Sequence, residues 1–146
     1  MERYVVEVCA YIGATKYFKY DNYTEKPTLH RTEGPAIEYT NGSKYWYRDG
    51  VPHRDGGPAV ESSGQKQWYQ NGVRHREDGP AYEIRSSHSG NLFKEWWLNG
   101  ENYTEEGFEK EMAKRNAPTC DGKMVEIDGK KYLVGDEDDI VAVIGE

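Results

Sequence analysis

Cysteine, phenylalanine and long apolar runs are the materials this chain has least of. Its 146 residues hold two cysteines, Cys9 and Cys120. Thiols so few and so far apart do not make a disulfide scaffold, and neither sits in a motif that would activate it, so both are read as reduced structural residues. No segment approaches the roughly 18 consecutive apolar residues of a membrane span. The basic region and apolar stretch of a secretory signal are missing from the first residues, which sets the expectation of a cytoplasmic protein. Phenylalanines number three, but 12 tyrosines and 4 tryptophans raise the aromatic share to 13%. That is enough to build a core for one domain, or for a repeat array with a small appendage.

Concentrated basic charge is missing too. The net charge is −7, and it is unevenly placed: residues 30–103 carry nine basic and ten acidic side chains, whereas residues 104–146 carry six and twelve. Counterion release needs a basic patch, so duplex DNA, RNA and anionic lipid are disfavoured as ligands. The acidic run Asp136-Glu137-Asp138-Asp139 reads as a solvated end.

What the chain does have is repetition. The phrases His30-Arg31-Thr32-Glu33-Gly34-Pro35-Ala36, His53-Arg54-Asp55-Gly56-Gly57-Pro58-Ala59 and His75-Arg76-Glu77-Asp78-Gly79-Pro80-Ala81 recur at spacings of 23 and 22 residues. A period of this length marks a repeat protein, in which copies stack because one copy cannot bury its own apolar face. Between phrases come a turn glycine (Gly42, Gly64, Gly90), an aromatic pair (Trp46-Tyr47, Trp68-Tyr69, Trp96-Trp97) and a two-residue turn (Asp49-Gly50, Asn71-Gly72, Asn99-Gly100). Asx-Gly between β-forming residues is a strong hairpin signal, so each repeat reads as strand, tight turn and strand. Side chains alternate along a strand, so Trp46, Trp68 and Trp96 are expected to form one row, opposite Tyr45 and Tyr47.

The third copy is degenerate, as a terminal repeat should be. Its first turn is enlarged to Arg85–Asn91, and Asn102-Tyr103 stands where His-Arg is expected. A capping helix follows: Thr104 as N-cap, Glu105 and Glu106 in the first turn, Phe108 and Met112 on one face, Lys114 and Arg115 in the last turn, and Asn116 and Pro118 at the end. Lys123 to Val134 alternates around Asp128-Gly129 and reads as a small hairpin. An apolar end, Ile140 to Ile144, comes after the acidic run. Tyr4–Ile12 and Lys16–Tyr20 read as two strands, either a decayed leading repeat or a separate cap, and Asp21–Thr28 as a loop. The organisation is therefore 1–29, strands and loop; 30–103, three hairpin repeats; 104–146, helix, hairpin and acidic tail. The fold class is mainly β, an antiparallel repeat-hairpin sheet with a C-terminal helix and hairpin.

The three phrase histidines invite a metal or acid–base reading, and geometry opposes it. Equivalent positions in neighbouring two-strand repeats lie about 10 Å apart, twice the strand spacing, whereas zinc ligands each sit about 2.1 Å from the ion. No serine has a strand-to-helix elbow. No metal, cofactor or catalytic residue is therefore assigned. For His-Arg two readings stand. In the structural one the arginine pairs with an acid such as Glu33, Asp55 or Asp78, and the imidazole packs over the Gly-Pro turn. In the functional one an Arg/His ladder beside an aromatic row grasps a phosphate and stacks a base. The candidate binding residues are Arg31, Arg54, Arg76, His53, His75, Trp46, Trp68, Tyr47, Tyr69, Arg85 and His88.

The units Trp46–Arg54 and Trp68–Arg76, each leading into Gly-Pro-Ala, resemble the MORN-like repeats of small phage-encoded and bacterial proteins, including antitoxin-like members. The segment Cys120–Tyr132 is similar to a tail that recurs in phage proteins of unassigned role. The resemblance implies a single-layer sheet of hairpins that binds proteins or lipids. The His-Arg and Gly-Pro-Ala phrase departs from the usual glycine-and-tyrosine pattern and weighs against lipid. A non-catalytic, phage-encoded factor that binds and inhibits a host protein, such as a restriction, CRISPR or other defence component, is the function the resemblance suggests. A sponge for a nucleotide signal is the alternative and a nucleotide-degrading enzyme the third. Self-association of the chain is left open.

Overall fold

The computed structural model describes residues 3–20 and 26–116, and the strands 123–127, 130–134 and 140–143. Cys120, Pro118, the Asp128-Gly129 turn and the acidic run Asp136–Asp139 lie outside the described residues. The chain divides into two compact units, Met1–Phe108 and Glu109–Glu146.

In the first unit the strands are β1 (Arg3–Cys9), β2 (Ala14–Tyr20), β3 (Pro27–Leu29), β4 (Ile37–Tyr39), β5 (Lys44–Tyr45), β6 (Tyr47–Arg48), β7 (Val51–Pro52), β8 (Val60–Ser62), β9 (Gln65–Gln67), β10 (Tyr69–Gln70), β11 (Val73–Arg74), β12 (Tyr82–Arg85), β13 (Leu92–Leu98) and β14 (Glu101–Tyr103). An antiparallel sheet runs β1-β2-β4-β5-β8-β9-β12-β13-β14, with β3 also on β2, while β6–β7 and β10–β11 form separate two-residue ribbons. The fold is thus mainly β and antiparallel, as the hairpin signals imply. Helix α1 (Glu105–Arg115) follows. The Thr104 hydroxyl accepts from the Gly107 N–H at 3.1 Å, so Thr104 is the N-cap, and Phe108 is buried. In the second unit β15 (Lys123–Ile127), β16 (Lys130–Val134) and β17 (Ile140–Val143) make an antiparallel sheet. The hairpin there is the expected one; the apolar end adds a third strand.

Each repeat contains two turns rather than one. The glycine turns at Gly42 and Gly64 join strands of the main sheet, and Asp49-Gly50 and Asn71-Gly72 close the ribbons. Positive φ at both turn residues, 50° and 81° at Asp49-Gly50, is the type I′ geometry that Asx-Gly selects. Main sheet and ribbon are parted by a break in the strand at Trp46, and again at Trp68. The reason lies in the main-chain bonds of the tryptophan. The Trp46 N–H donates to the Ala59 carbonyl, and the Trp46 carbonyl accepts from the His53 N–H; Trp68 makes the same two bonds to Ala81 and His75. Both ends of a phrase loop are therefore fastened to the aromatic residue that precedes it.

Tyr17 makes the identical pair of bonds, to Ala36 and His30. Tyr17 thus stands in the tryptophan position, and the leading strands are a decayed repeat, one of the two readings left open. The end of the presumed loop, Pro27–Leu29, is strand β3, paired with β2 where β7 would pair with β6. Pairing of Trp96 with Tyr103 shows that Tyr103-Thr104, not Asn102-Tyr103, takes the His-Arg place. The ribbon turn is four residues before the histidine, an offset the degenerate copy preserves.

The core is thin. Among the described residues the buried apolar side chains are Ala14, Ala36, Ile37, Ala59, Ala81, Leu98 and Phe108, and the phrase alanines Ala36, Ala59 and Ala81 are 0% exposed. Trp46, Trp68 and Trp96 are half-buried. Truncating a fully buried aromatic costs about 3 to 5 kcal/mol; half burial scales the expectation for Trp68→Ala to about 2 to 3 kcal/mol. Trp96 is followed by no phrase arginine, so Trp96→Ala should cost about 1 kcal/mol less. Urea melts of the two variants check this, and equal losses would contradict the arginine's contribution.

Candidate binding surface

The aromatic at the head of each phrase carries the phrase arginine on its face. The Arg31, Arg54 and Arg76 guanidiniums lie 3.8, 3.8 and 3.9 Å from the ring centroids of Tyr17, Trp46 and Trp68. On the other side each guanidinium meets a glycine: a Cβ at Gly57 would sit 3.0 Å from the Arg54 Cζ, and Gly34 and Gly79 are similarly close to Arg31 and Arg76. A planar cation fills this slot between ring and bare backbone. Its Nη1 then donates twice. Arg31 bonds the Pro35 carbonyl at 3.1 Å and Glu38 at 2.6 Å, Arg54 bonds Pro58 at 3.0 Å and Glu61 at 2.7 Å, and Arg76 bonds Pro80 at 3.0 Å and Glu83 at 3.2 Å.

These partners correct part of the structural reading of His-Arg. The acid is seven residues on, in the next strand, rather than Glu33 or Asp55; only Asp78 is also engaged, at 2.7 Å from the Arg76 Nε. Nor does the imidazole simply cover its own Gly-Pro turn. In His30, His53 and His75 the Nδ1 accepts, at 3.0 Å each, from the N–H of Asp49, Asn71 and Asn99, the first residue of the next ribbon turn. The second turn residue is held as well, since the Gly50, Gly72 and Gly100 N–H groups donate to Leu29, Pro52 and Arg74 carbonyls at 2.9 Å. Each phrase therefore clasps the turn of the following repeat.

With Nδ1 accepting, a neutral ring carries its proton on Nε2. The His53 Nε2 is buried and lies 3.2 Å from Asp55 Oδ1, off the line of a good hydrogen bond. At His30, Nδ1 is also 3.0 Å from Asp49 Oδ1. The neutral ring serves the turn N–H there, the protonated ring the carboxylate. The other two turns, with asparagine, lack that competition.

Between successive phrase loops the surface is grooved. One groove, of about 490 Å³, is lined by Arg54, Gly57, Trp68, His75, Arg76 and Asp78 among others, and another, of about 320 Å³, by Arg31, Trp46, Arg48, His53, Arg54 and Asp55 among others. Seven of the eleven sequence candidates, Arg31, Arg54, Arg76, His53, His75, Trp46 and Trp68, thus converge on two equivalent grooves. Tyr47 and Tyr69 belong elsewhere, in a tyrosine cluster. Burial pushes the Tyr47 phenol above its ordinary value, with Tyr45, Tyr69 and Tyr39 adding to the effect. Arg85 is the exposed last residue of β12 and His88 sits on the exposed loop after it, where Arg85 Nη1 bonds the Gly90 carbonyl at 3.1 Å. The groove carboxylates Asp55 and Asp78 were named from sequence only as arginine partners, not as binding residues, and the neighbouring Arg74 was not singled out. Arg74 bonds Tyr69, Gln67 and Glu95, a set assembled from three strands that no local pattern announces.

The His53 imidazole 3.2 Å away and then the Arg48 hydrogen bond hold the Asp55 carboxyl below its ordinary value, and the Arg76 hydrogen bond does so for Asp78. For Asp49, partial burial works against ionisation, but the Lys19 hydrogen bond and the His30 and Lys19 charges outweigh it. Both groove carboxylates are therefore ionised at neutral pH, and the grooves are near-neutral mosaics. Among the described residues, no group of three or more His, Cys, Asp or Glu side chains is placed to hold a metal ion, and no helix is long and apolar enough to cross a membrane. No family model, no curated protein and no solved structure matches the chain.

Two outcomes follow from this geometry. Replacing His53 by Ala strands the Asn71 N–H and should cost about 1 to 3 kcal/mol, the range for an orphaned hydrogen-bonding group. Denaturant melts with Asp55→Ala as the exposed control measure it. For pH, lowered carboxyl values mean the unfolded chain binds more protons on acidification. The contribution of Asp49, Asp55 and Asp78 is complete above the ordinary carboxylate value of 3.8 and is lost as pH falls below it. The Asp78→Asn variant should therefore lose stability relative to the parent at pH 7 and converge with it at the acid end; parallel curves would refute the assignment.

Proposed function

We propose that this chain is a non-catalytic binding protein whose partner is another protein, engaged across the aromatic-floored grooves between phrase loops. The observation that supports this is the way the groove cations are spent. Arg54 and Arg76 each face a ring, a proline carbonyl and a glutamate of the next strand. A nucleotide phosphate would have to displace Glu61 or Glu83 and would meet Glu77 and Asp78 at the rim. The sponge reading therefore finds its cations already engaged. Of the hydroxyl and thiol nucleophiles the two groove linings contain one, Thr32, and neither serine nor cysteine. A near-neutral groove with a half-buried tryptophan and a polar rim suits protein side chains, where tryptophan and arginine anchor interfaces.

The MORN-like phrase and the phage-type tail Cys120–Tyr132 supply the remainder of the proposal by resemblance. On that ground the partner is a host protein in the cytoplasm of an infected bacterial cell, and the effect is inhibition of a defence component.

Affinity purification from an expressing cell tests the reading, with mass spectrometry of co-purifying proteins and of small molecules released on denaturation. One protein should be enriched in fixed proportion. The Glu77→Lys/Asp78→Lys double variant should weaken its capture by about tenfold, since rim charge steers and selects a partner. Shortening the loop Ser86–Gly90 should weaken a protein partner and leave a nucleotide unaffected. A nucleotide released on denaturation, with no enriched protein, would overturn the proposal in favour of the sponge.

A further inference from the structure

The three phrase loops differ chemically at the residue after His-Arg. That position is Thr32 in the first copy, Asp55 in the second and Glu77 in the third. In the second copy the imidazole and this side chain stand side by side: His53 Nε2 is 3.2 Å from Asp55 Oδ1, with the histidine side chain 5% and the aspartate 69% exposed. In the third the separation is 3.7 Å, and the histidine is less deeply set. His53 and Asp55 both line the groove of about 320 Å³.

The state of each group follows from its other bonds. Because His53 Nδ1 accepts from the Asn71 N–H, the neutral ring carries its proton on Nε2, which makes that atom a donor. The donor is buried and has no hydrogen-bond partner among the described residues, since Asp55 Oδ1 is near but off the line of the bond. Buried donors are rarely left so, because their lost hydration is then uncompensated. Asp55 is the reverse, an ionised acceptor with capacity to spare. Arg48 Nη2 donates to its Oδ2 at 3.1 Å, which orients the carboxylate and leaves Oδ1 on the histidine side.

We propose that His53 and Asp55 form a subsite for a primary carboxamide, the asparagine or glutamine side chain of the protein partner, an assignment that rests on the groove reading above. A donor beside an acceptor is the complement of an amide edge, where a carbonyl oxygen and an NH₂ group adjoin. The carbonyl accepts from Nε2 while the NH₂ donates to Asp55 Oδ1, so one neutral ligand satisfies both. A carboxylate could accept from Nε2 but would set a second negative charge against Asp55. An ammonium or guanidinium could pair with Asp55 but has no acceptor for Nε2. A nucleobase edge presents the same pair, yet it gains most from stacking, and the Arg54 guanidinium already covers a face of Trp46 at 3.8 Å. The exposed Asp55 side chain can yield to an entering group, whereas the next turn holds His53 in place.

Nitrogen NMR of His53 Nε2 in the full chain, at constant and mildly alkaline pH, tests this. The probes are propionamide, which is the glutamine side chain, propionate, and N,N-dimethylpropionamide, which keeps the carbonyl and lacks the donor. Propionamide should move the His53 resonance saturably. The other two should bind about tenfold more weakly, with one hydrogen bond or one charge repulsion at stake. Asp55→Ala should bring propionamide down to the level of the dimethyl compound; the probe comparison on the parent chain stays decisive if that variant unfolds. No response at His53, the result if water alone holds the donor, overturns the proposal. So does an equal response to the three probes, or a propionamide response unchanged in Asp55→Ala. Adenosine binding more tightly than propionamide overturns it in favour of a base. The readout needs no partner, so a protein captured by a chain whose His53 ignores propionamide refutes the subsite alone, and a response at His53 with no protein captured refutes the protein reading alone.

Discussion

The slot that holds each phrase arginine is the interaction on which the rest of this structure depends. A planar cation between an aromatic face and a glycine backbone satisfies three needs at once. It packs on a half-buried ring, ties the phrase carbonyl, and reaches a glutamate in the next strand. With three of the seven buried apolar side chains among the described residues being the phrase alanines, hydrophobic burial alone is a weak source of cohesion here. The repeat compensates with directed bonds. Lysine would not substitute, because a point charge neither stacks flat nor donates in the fork that serves a carbonyl and a carboxylate together. A Cβ at Gly57 would close the slot from its other side, where the approach is already 3.0 Å.

This arrangement explains why the phrase looks functional in sequence and is architectural in space. His-Arg near acids has the composition of a site, but each group is spoken for: the imidazole by a backbone N–H of the next turn, the guanidinium by ring, carbonyl and carboxylate. What remains for a partner is the relief between phrases. Its floor is the edge of a tryptophan, its rim the solvated carboxylates whose ionisation their arginine and histidine neighbours favour. A surface of this kind selects by shape and by balanced charge, and not by excess positive potential.

The repeat, its β character, the Asx-Gly turns and the Thr104 cap were legible because each is written locally: a turn needs two positive φ values, a cap needs one hydroxyl. Three features were not. The glutamate partners Glu38, Glu61 and Glu83 lie seven residues on, across a turn, and carboxylates one or two residues from the arginine looked nearer. The role of histidine depends on the next repeat's turn, 18 to 24 residues away, a distance no local pattern reports. Tyr17 was missed as the head of a repeat because the position asks for a flat ring and two main-chain bonds, which tyrosine supplies as well as tryptophan. The strand break at Trp46 was hidden for the same reason: main-chain bonding imposes it, and side-chain alternation continues through it.

The clasp also has a direction. Each histidine accepts from the turn that follows it, so a phrase is useful only where another turn succeeds it. After Asn99-Gly100 no further ribbon turn comes among the described residues, and the chemistry of the last copy changes accordingly. Tyr103 stands where an acceptor nitrogen would have no donor to meet, and Thr104, where an arginine would have stood, caps a helix instead. Degeneration of the last repeat is thus what the hydrogen-bond bookkeeping requires of a terminus. The first repeat has no such instruction. Its first strand, β1, is a plain seven-residue strand with exposed valines. The repeat is thus ended by a change of residue chemistry at the two positions where its clasp would otherwise begin.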